Sequence, residues 1–312
     1  MGLPKAVRLF EEGPREGFQI EKGPIPTDRK IALIDALSAT GLKRIQTASF
    51  VHPKLVPGMA DAEAVVAGIA MRPEVTYTGL WLNDRGMERA IATGRLAMIG
   101  RISTYASDAF MQRNQNTTYD AHMKAQGDML DAYRARAISV EGAFVSAAFG
   151  CNFEGDIPLP KLMRVVRDLF ALFSEHGTAI ETLWLADTMG WANPEQVRRT
   201  VGAVREAFPE TTIGLHLHDT RGLGIANAFA GLEMGVADFE ASVAGLGGCP
   251  FAGNPGAVGN IATEDFVFLC HELGIETGIN LDALIDCARM AEDIVGRTLP
   301  GSIMHAGKLN RV

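Results

Sequence analysis

The sequence predicts an α/β protein, a closed (β/α)8 TIM barrel followed by a short C-terminal helical extension. Three observations lead to this prediction. Short apolar runs alternate with amphipathic segments from end to end, and they make eight strand–helix units. The length of 312 residues suits a single barrel of this kind. No low-complexity linker divides the chain.

Each predicted strand is a short apolar run, and each is followed by a pattern that is typical of an amphipathic helix. The predicted strands cover residues 6–13, 44–51, 75–82, 96–103, 137–150, 179–187, 212–218 and 238–247. The predicted helices cover residues 27–41, 61–71, 84–93, 117–134, 160–176, 194–207, 222–234 and 262–273. In the first helix, Thr27 is the predicted N-cap and Gly41 the predicted stop. The barrel is therefore assigned to residues 1–275 and the extension, packed on the barrel, to residues 276–312.

The composition narrows the possible partners and location. A net charge of −8 at pH 7 argues against nucleic acid as the main partner. No apolar run approaches the ~20 residues needed to cross a bilayer, and the first residues lack a signal-peptide core, so we expect no membrane partner. The four cysteines have no C-x-x-C spacing, which favours reduced thiols and a cytoplasmic location.

Polar and ionisable side chains occur where the predicted strands end, which is where (β/α)8 enzymes carry out their chemistry. They are Arg15 and Glu16 after the first strand, Gln46, Thr47 and Ser49 on the second, Arg101 and Ser103 on the fourth, Asp187 and Thr188 at the sixth, His216 and His218 on the seventh, and Cys249 and Asn260 after the eighth. The sequence therefore predicts an active-site mouth at one face of the barrel.

The segment GLHLHD, residues 214–219, predicts a metal site. Side chains alternate along a strand, so His216 and His218 share one face while the leucines share the other. Imidazole binds divalent first-row metals well, and a carboxylate and an amide oxygen can complete the coordination sphere. A pair of histidines that are merely hydrogen-bonded is the alternative. Asp219 is either a partner of a ligating histidine or a cap for the next helix.

Several long motifs resemble those of the 3-hydroxy-3-methylglutaryl-CoA lyases, which belong to the DRE-TIM metallolyase superfamily. The resemblance covers roughly residues 7–275. It is carried by VRLFEEGPREGFQIEKGP, VSAAFGCNFEGDIP, LADTMGWANP, HLHDTRGLGIANAFAGLEMGVADFEASVAGLGGCPFA and GNIATEDFVFL, in that order. It implies a retro-Claisen cleavage of a 3-hydroxyacyl-CoA to acetyl-CoA and a keto product.

The resemblance also implies roles for individual residues. A divalent cation, Mg²⁺ or Mn²⁺, is expected on Glu16, His216, His218 and Asn260. The loop before Asn260 is about two residues longer than usual, which leaves Asn254 as a rival ligand. The expected catalytic residues are Arg15 at the thioester enolate oxygen, Asp187 near the substrate hydroxyl, and Cys249 in proton transfer. Gln46, Ser49, Arg101 and Thr188 are expected to bind substrate, and Ser107, Arg113, Asn114 and Lys54 to bind the CoA moiety. A homodimer is the expected assembly.

Two departures from the family pattern bear on the substrate. Glu16 stands where the lyases have aspartate, and one methylene more moves the carboxylate by ~1.5 Å, enough to shift a metal. Gln46 stands where the strand usually carries glutamate. A related thioester such as citramalyl-CoA is therefore an alternative substrate. A synthase of the superfamily, a CoA-independent pyruvate-type aldolase and an inactive relative also stay open as interpretations; synthases usually carry a long C-terminal regulatory domain, for which we expect no room here.

Overall fold

The computed structural model of the protein describes residues 2–21, 23–248 and 259–309. Its eight main strands are β1 (Arg8–Glu11), β2 (Arg44–Ser49), β3 (Thr76–Leu80), β4 (Ile99–Tyr105), β5 (Ser139–Ser146), β6 (Thr182–Asp187), β7 (Thr212–Leu217) and β8 (Asp238–Ala241). The chain forms two compact units. The one that we call the histidine unit consists mainly of Ile99–Asp238. The other, the arginine unit, consists mainly of Lys5–Met98, Phe239–Gly248 and the segment after residue 258.

The arginine unit contains parallel strands in the order β3-β2-β1-β8. Phe10 of β1 is opposite Arg44 of β2, and the register between β2 and β3 shifts after Gln46. The α-helices of this unit are Phe18–Ile20, Thr27–Ser38, Ala62–Gly68, Asp84–Ala92, Thr263–Glu272, Leu281–Val295 and Ile303–Ala306. It also contains a π-helical turn, Gly13–Gly17, and two 3-10 turns, Pro57–Met59 and Val243–Gly245.

The histidine unit contains parallel strands in the order β7-β6-β5-β4. Every residue of β6 is buried, as expected for a central parallel strand that is covered on both faces. Asp187 at the end of β6 pairs in register with Leu217 of β7. The α-helices of this unit are Asp108–Gln115, Tyr119–Ala135, Leu159–Glu175, Pro194–Ala207 and Gly224–Glu233. Gly150–Cys151 and Gly155–Asp156 form a small antiparallel hairpin.

All sixteen predicted elements have a counterpart in the structure, with differences at their ends. The sequence predicted no helix at Asp108–Gln115, and it extended the last strand over what is a 3-10 turn. The expected N-cap was wrong: Pro26 is the N-cap, and Thr27 is the first helical residue, whose hydroxyl donates to Asp61 Oδ2 at 2.7 Å. Among the helices of the described ranges, none is long and apolar enough to cross a bilayer.

Candidate active site

The first polar cluster surrounds Arg15 in the π-helical turn after β1. Arg15 Nη2 lies 2.5 Å from Glu12 Oε2 and 3.1 Å from Glu16 Oε2. Its Nε donates a short hydrogen bond to Gln46 Oε1. A guanidinium has five N–H donors, and these contacts occupy the Nε and Nη2 groups. Nη1 has no hydrogen-bond partner among the described residues, so two donors remain for a ligand.

The charge balance around Arg15 keeps it protonated. Burial by itself would lower the pKa of Arg15, but the carboxylates of Glu16, Glu12 and Glu240 hold that pKa above its usual value. All three glutamates are buried. A buried cation held by several carboxylates, with two N–H groups unengaged, is suited to stabilise an oxyanion that develops during a reaction. Glu12 is a site residue that the sequence reasoning missed, although it directly precedes the GPREG turn.

Asn260 lies beside Glu16 in the same unit. Asn260 Nδ2 donates to Ser242 Oγ at 2.7 Å, whereas its Oδ1 is buried and has no hydrogen-bond partner within the described ranges. Gly247 lies against both residues. A Cβ added at this position would be 3.1 Å from Asn260 Nδ2 and 3.1 Å from Glu16 Cγ. A buried amide oxygen without a donor is costly unless a ligand or ion satisfies it. Asn260 is thus oriented as a ligand would be.

Two buried carboxyl groups lie behind this cluster, and the sequence reasoning missed them. Glu11 Oε1 accepts from the backbone amides of Gly13 and Val243, both at 2.8 Å, and its Oε2 accepts from Thr263 Oγ1 at 2.6 Å. Burial raises the pKa of Glu11 to about 7 and that of Glu264 to about 8. Glu11 therefore ties the start of the Arg15 turn to the segment after β8.

The second polar cluster, in the histidine unit, contains His216 of β7 and His218, the residue after its end. Both are buried, and their Nε2 atoms lie 3.1 Å apart, which confirms that the side chains share one face of the strand. The ring of Phe144 meets His216 edge-on, with the ring centroids 5.4 Å apart. Two imidazole nitrogens directed at the same point are suited to hold a cation. Asp219 Oδ1 accepts from the backbone amide of Gly224, the first residue of the next helix, at 2.6 Å, whereas the N-cap of that helix is Leu223.

Asp187 ends β6 and is buried in a cradle of backbone amides. Its Oδ1 accepts from the amide of Trp191 at 2.7 Å, and both oxygens accept from that of Ala192 at 3.1 Å. Burial raises the pKa of Asp187 to about 6, although these hydrogen bonds and the charges of Arg221 and His216 act in the opposite direction. Arg221 donates to the carbonyl oxygens of Met189 and Gly190, and these bonds hold the loop after β6 in place.

The other residues expected to bind substrate have varied surroundings. Gln46 bonds to Arg15, as described above. Ser49 is fully buried, and its hydroxyl has no partner within the described part of the chain. Arg101 lies 3.8 Å from Glu141 and over the ring of Trp184. The Thr188 hydroxyl accepts from the amide of Ala147 at 2.9 Å. Their contacts with substrate stay predictions.

Three of the residues expected to bind CoA lie close together in the histidine unit. Ser107 caps the helix Asp108–Gln115 and donates to Glu154 Oε2 at 2.8 Å. Arg113 lies over the ring of Phe153, and Asn114 donates to the Tyr105 hydroxyl at 2.8 Å. The fourth residue, Lys54, is exposed in the arginine unit. The roles of Cys249 and Asn254 also stay predictions, because both residues lie outside the described ranges.

Comparison with known sequences identifies relatives that match nearly the whole chain. A family model described as HMGL-like matches residues 6–291. A 3-hydroxy-3-isohexenylglutaryl-CoA/hydroxymethylglutaryl-CoA lyase of Pseudomonas aeruginosa is 40% identical over 300 residues, 96% of this chain and 96% of that protein. The mitochondrial hydroxymethylglutaryl-CoA lyase of Bos taurus is 39% identical, covering 97% of this chain and 90% of that protein.

Solved structures agree with these sequence matches. The HMG-CoA lyase of Bacillus subtilis superposes with a TM-score of 0.89 and 37% identity over 98% of this chain and 99% of that one. An HMG-CoA lyase of Acinetobacter baumannii, solved with coenzyme A and 3-methylmalate, has a TM-score of 0.88 and 37% identity, covering 99% and 97% of the two chains. These likenesses confirm the predicted (β/α)8 barrel.

Proposed function

The chain belongs to the HMGL-like family, and from this premise we propose that it is a metal-dependent carbon–carbon lyase that cleaves hydroxymethylglutaryl-CoA to acetyl-CoA and acetoacetate. The observation that carries the proposal is the surroundings of Arg15. Its guanidinium is buried and held by carboxylates, and its Nη1 donors stay available. That arrangement suits the negative oxygen of a thioester enolate, which is the species released by a retro-Claisen cleavage.

We further propose that Glu16, His216, His218 and Asn260 hold a divalent cation, Mg²⁺ or Mn²⁺. The first three are buried carboxylate and imidazole groups of the kind that metal sites use. The buried Oδ1 of Asn260, which lacks a hydrogen-bond partner in the described part of the chain, fits the fourth position. When bound, such a cation lowers the pKa of a hydroxyl that it contacts. Asn254 stays the rival for the fourth position.

The proton transfers are assigned to two residues of the chain. Asp187 accepts the proton of the substrate hydroxyl, and its pKa of about 6 suits a base that works near neutral pH. Loss of that proton lets the hydroxyl carbon become a ketone while the neighbouring C–C bond breaks. The electron pair moves to the thioester oxygen, where the Nη1 donors of Arg15 stabilise it. Cys249, carried over from the family resemblance, then protonates the enolate carbon.

A second candidate substrate is a thioester with a different group at the hydroxyl carbon. Gln46 is neutral and bonded to Arg15 where the family usually carries a glutamate, so the site differs next to the reacting atoms. The Pseudomonas aeruginosa relative is named for an isohexenyl-substituted thioester as well as for the methyl one. Citramalyl-CoA stays a further candidate.

We propose a homodimer and a cytoplasmic location as well, on the family resemblance and the cysteine pattern. We also propose that Ser107, Arg113, Asn114 and Lys54 contact the CoA moiety, and that Gln46, Ser49, Arg101 and Thr188 contact the acyl part. We propose in addition that residues 1–275 form the barrel and that residues 276–312 form a C-terminal extension packed on it.

The decisive experiment measures acetyl-CoA release from a panel of thioesters with Mg²⁺, with Mn²⁺ and with EDTA. The panel contains hydroxymethylglutaryl-CoA, 3-hydroxy-3-isohexenylglutaryl-CoA and citramalyl-CoA. We expect metal-dependent cleavage that is abolished by EDTA and by His216→Ala. The matched control is His271→Ala, since the side chain of that exposed histidine bonds to the nearby Thr277 hydroxyl. No cleavage of any thioester by the metal-loaded protein would favour a CoA-independent aldolase or an inactive relative.

A further inference from the structure

We propose that Glu12 is a positioning residue for Arg15, and that it supplies from the end of β1 the negative charge that Gln46 does not supply from β2. The proposal deepens the proposed function and rests on it, because it concerns the arginine of the lyase site. Glu12, which the sequence reasoning did not select, makes the 2.5 Å ion pair with Arg15.

The need for such a charge follows from burial. A guanidinium taken out of water loses hydration that only charged and hydrogen-bonding partners replace. Gln46 accepts the hydrogen bond from Arg15 Nε, but an amide carries no net charge. Glu16 lies 3.1 Å from Nη2, yet in the proposed function its carboxylate also binds the cation, which offsets its charge. Glu12, at 2.5 Å from Nη2, is the nearer of the two carboxylates that pair with the arginine.

The local backbone makes Glu12 suited to this task. Its carbonyl accepts from the amides of Arg15 at 3.1 Å and Glu16 at 2.7 Å, so main chain and side chain of Glu12 hold the same turn. The residues are three apart, and the carboxylate is almost completely buried. Little conformational freedom remains to be lost when the pair forms, in contrast to exposed ion pairs.

The two anchored groups of Arg15 determine where its remaining donors point. Glu12 holds Nη2 and Gln46 holds Nε, two of the three nitrogens of one planar guanidinium. With both held, the Nη1 donors are presented in one orientation. Efficient stabilisation of a developing oxyanion needs such preorganised donors, and a displacement of 1 Å can cost ~100-fold in rate. Glu12 is therefore expected to affect kcat more than KM.

The test moves the charge from one position to the other. Glu12→Gln removes the charge but keeps an acceptor, Gln46→Glu adds a charge on the Nε side, and the double variant exchanges the two groups. Glu12→Gln is expected to lower kcat by ~10–100-fold with little change in KM. Gln46→Glu alone also lowers kcat, because a further carboxylate beside Arg15 weakens the attraction of its guanidinium for the enolate oxygen. The double variant is expected to turn over about tenfold faster than Glu12→Gln, a coupling that independent sites do not show.

The outcomes separate this proposal from the function on which it rests. A wild-type protein that cleaves no thioester of the panel refutes the lyase, whatever the variants do. An active wild type with an unchanged Glu12→Gln variant, or with a double variant no faster than Glu12→Gln, overturns the role of Glu12. If Glu12→Gln does not fold, the double variant decides. A double variant that folds and is active supports the proposal, and one that is unfolded or inactive overturns it. The matched control is Glu63→Gln, which removes the carboxylate partner of the partly buried Arg89.

Discussion

The arginine cluster and the histidine cluster both bury polar groups, but they hold them by different means. Side chains of opposite charge surround Arg15 in an irregular turn. Asp187 and the histidines instead occupy the ends of regular strands, and backbone amides hold the aspartate. Backbone amides keep their positions when one side chain is changed, whereas an ion-pair cluster rearranges. We therefore expect a substitution in the histidine unit to lower activity while the surrounding structure is kept. A substitution around Arg15 should also change the positions of neighbouring side chains.

The largest effect is expected for Asp187→Asn. The amide oxygen of asparagine can still accept from the backbone of Trp191 and Ala192, so the loop should keep its conformation. The proton acceptor is lost, and kcat should fall by ~100- to 10,000-fold. Steady-state kinetics and the thermal midpoint measure the two effects separately. Asp168→Asn, which alters a partner of the Tyr119 hydroxyl, is the control within the same unit. A large loss of stability in Asp187→Asn would contradict the contrast between the clusters.

A somewhat smaller effect is expected for Arg15→Lys. Lysine keeps the charge but cannot hold Glu12 and Gln46 while offering further donors in a fixed plane. Loss of a comparable oxyanion donor costs ~100- to 1000-fold in kcat, and we expect a fall in that range. The control is Arg89→Lys, which replaces an arginine that pairs with Glu63 at the surface. Wild-type turnover by Arg15→Lys would mean that positive charge alone suffices.

The smallest effect concerns the carboxyl groups behind Arg15 and appears in stability. The pKa of Glu264 is raised from 4.5 to about 8 by burial, so the folded protein keeps a proton that the unfolded chain loses. This contribution to stability is complete below pH 4.5 and is lost as the pH rises towards 8. Glu264→Gln does not ionise, so between pH 5 and pH 8 its free energy of unfolding should rise relative to that of the wild type by on the order of 3 kcal/mol.

Urea unfolding at pH 5 and pH 8 measures this difference. Glu63→Gln is the control expected to show almost no change between these two pH values, because the hydrogen bond from Arg89 lowers the pKa of Glu63 below 4.5. Its stabilising contribution is present at high pH and lost as the pH falls through the lowered pKa. A Glu264→Gln variant that follows the wild type at both pH values would show that Glu264 is ionised in the folded protein.

Residues at the ends of regular strands were the most predictable part of the site. Strand alternation alone predicted that His216 and His218 share a face, and the 3.1 Å separation of their Nε2 atoms confirms it. Asp187 was selected by its position after an apolar run, and the structure adds the amide cradle and the raised pKa. The roles of these residues in catalysis stay predictions, as does that of Cys249.

The residues that the sequence reasoning missed are carboxylates whose importance depends on distant partners. Glu11 lies within a run that predicts a strand, and nothing near it in sequence indicates that Val243 and Thr263 donate to it. Glu12 looks like an ordinary polar strand end until its ion pair with Arg15 is known. The wrong N-cap at Thr27 has the same origin, since its hydroxyl bonds to Asp61, 34 positions away.

The sequence by itself determined the (β/α)8 pattern, the order of its elements, the family and the histidine pair. Each of these depends on periodicity or on residues that are neighbours in the chain. The tertiary structure decided the surroundings of Arg15, the lack of a partner for the Asn260 oxygen among the described residues, and the raised pKa values of the buried carboxyl groups. The physical reason is that hydrogen bonds and desolvation depend on which groups meet in space, and those groups come from segments far apart in the sequence.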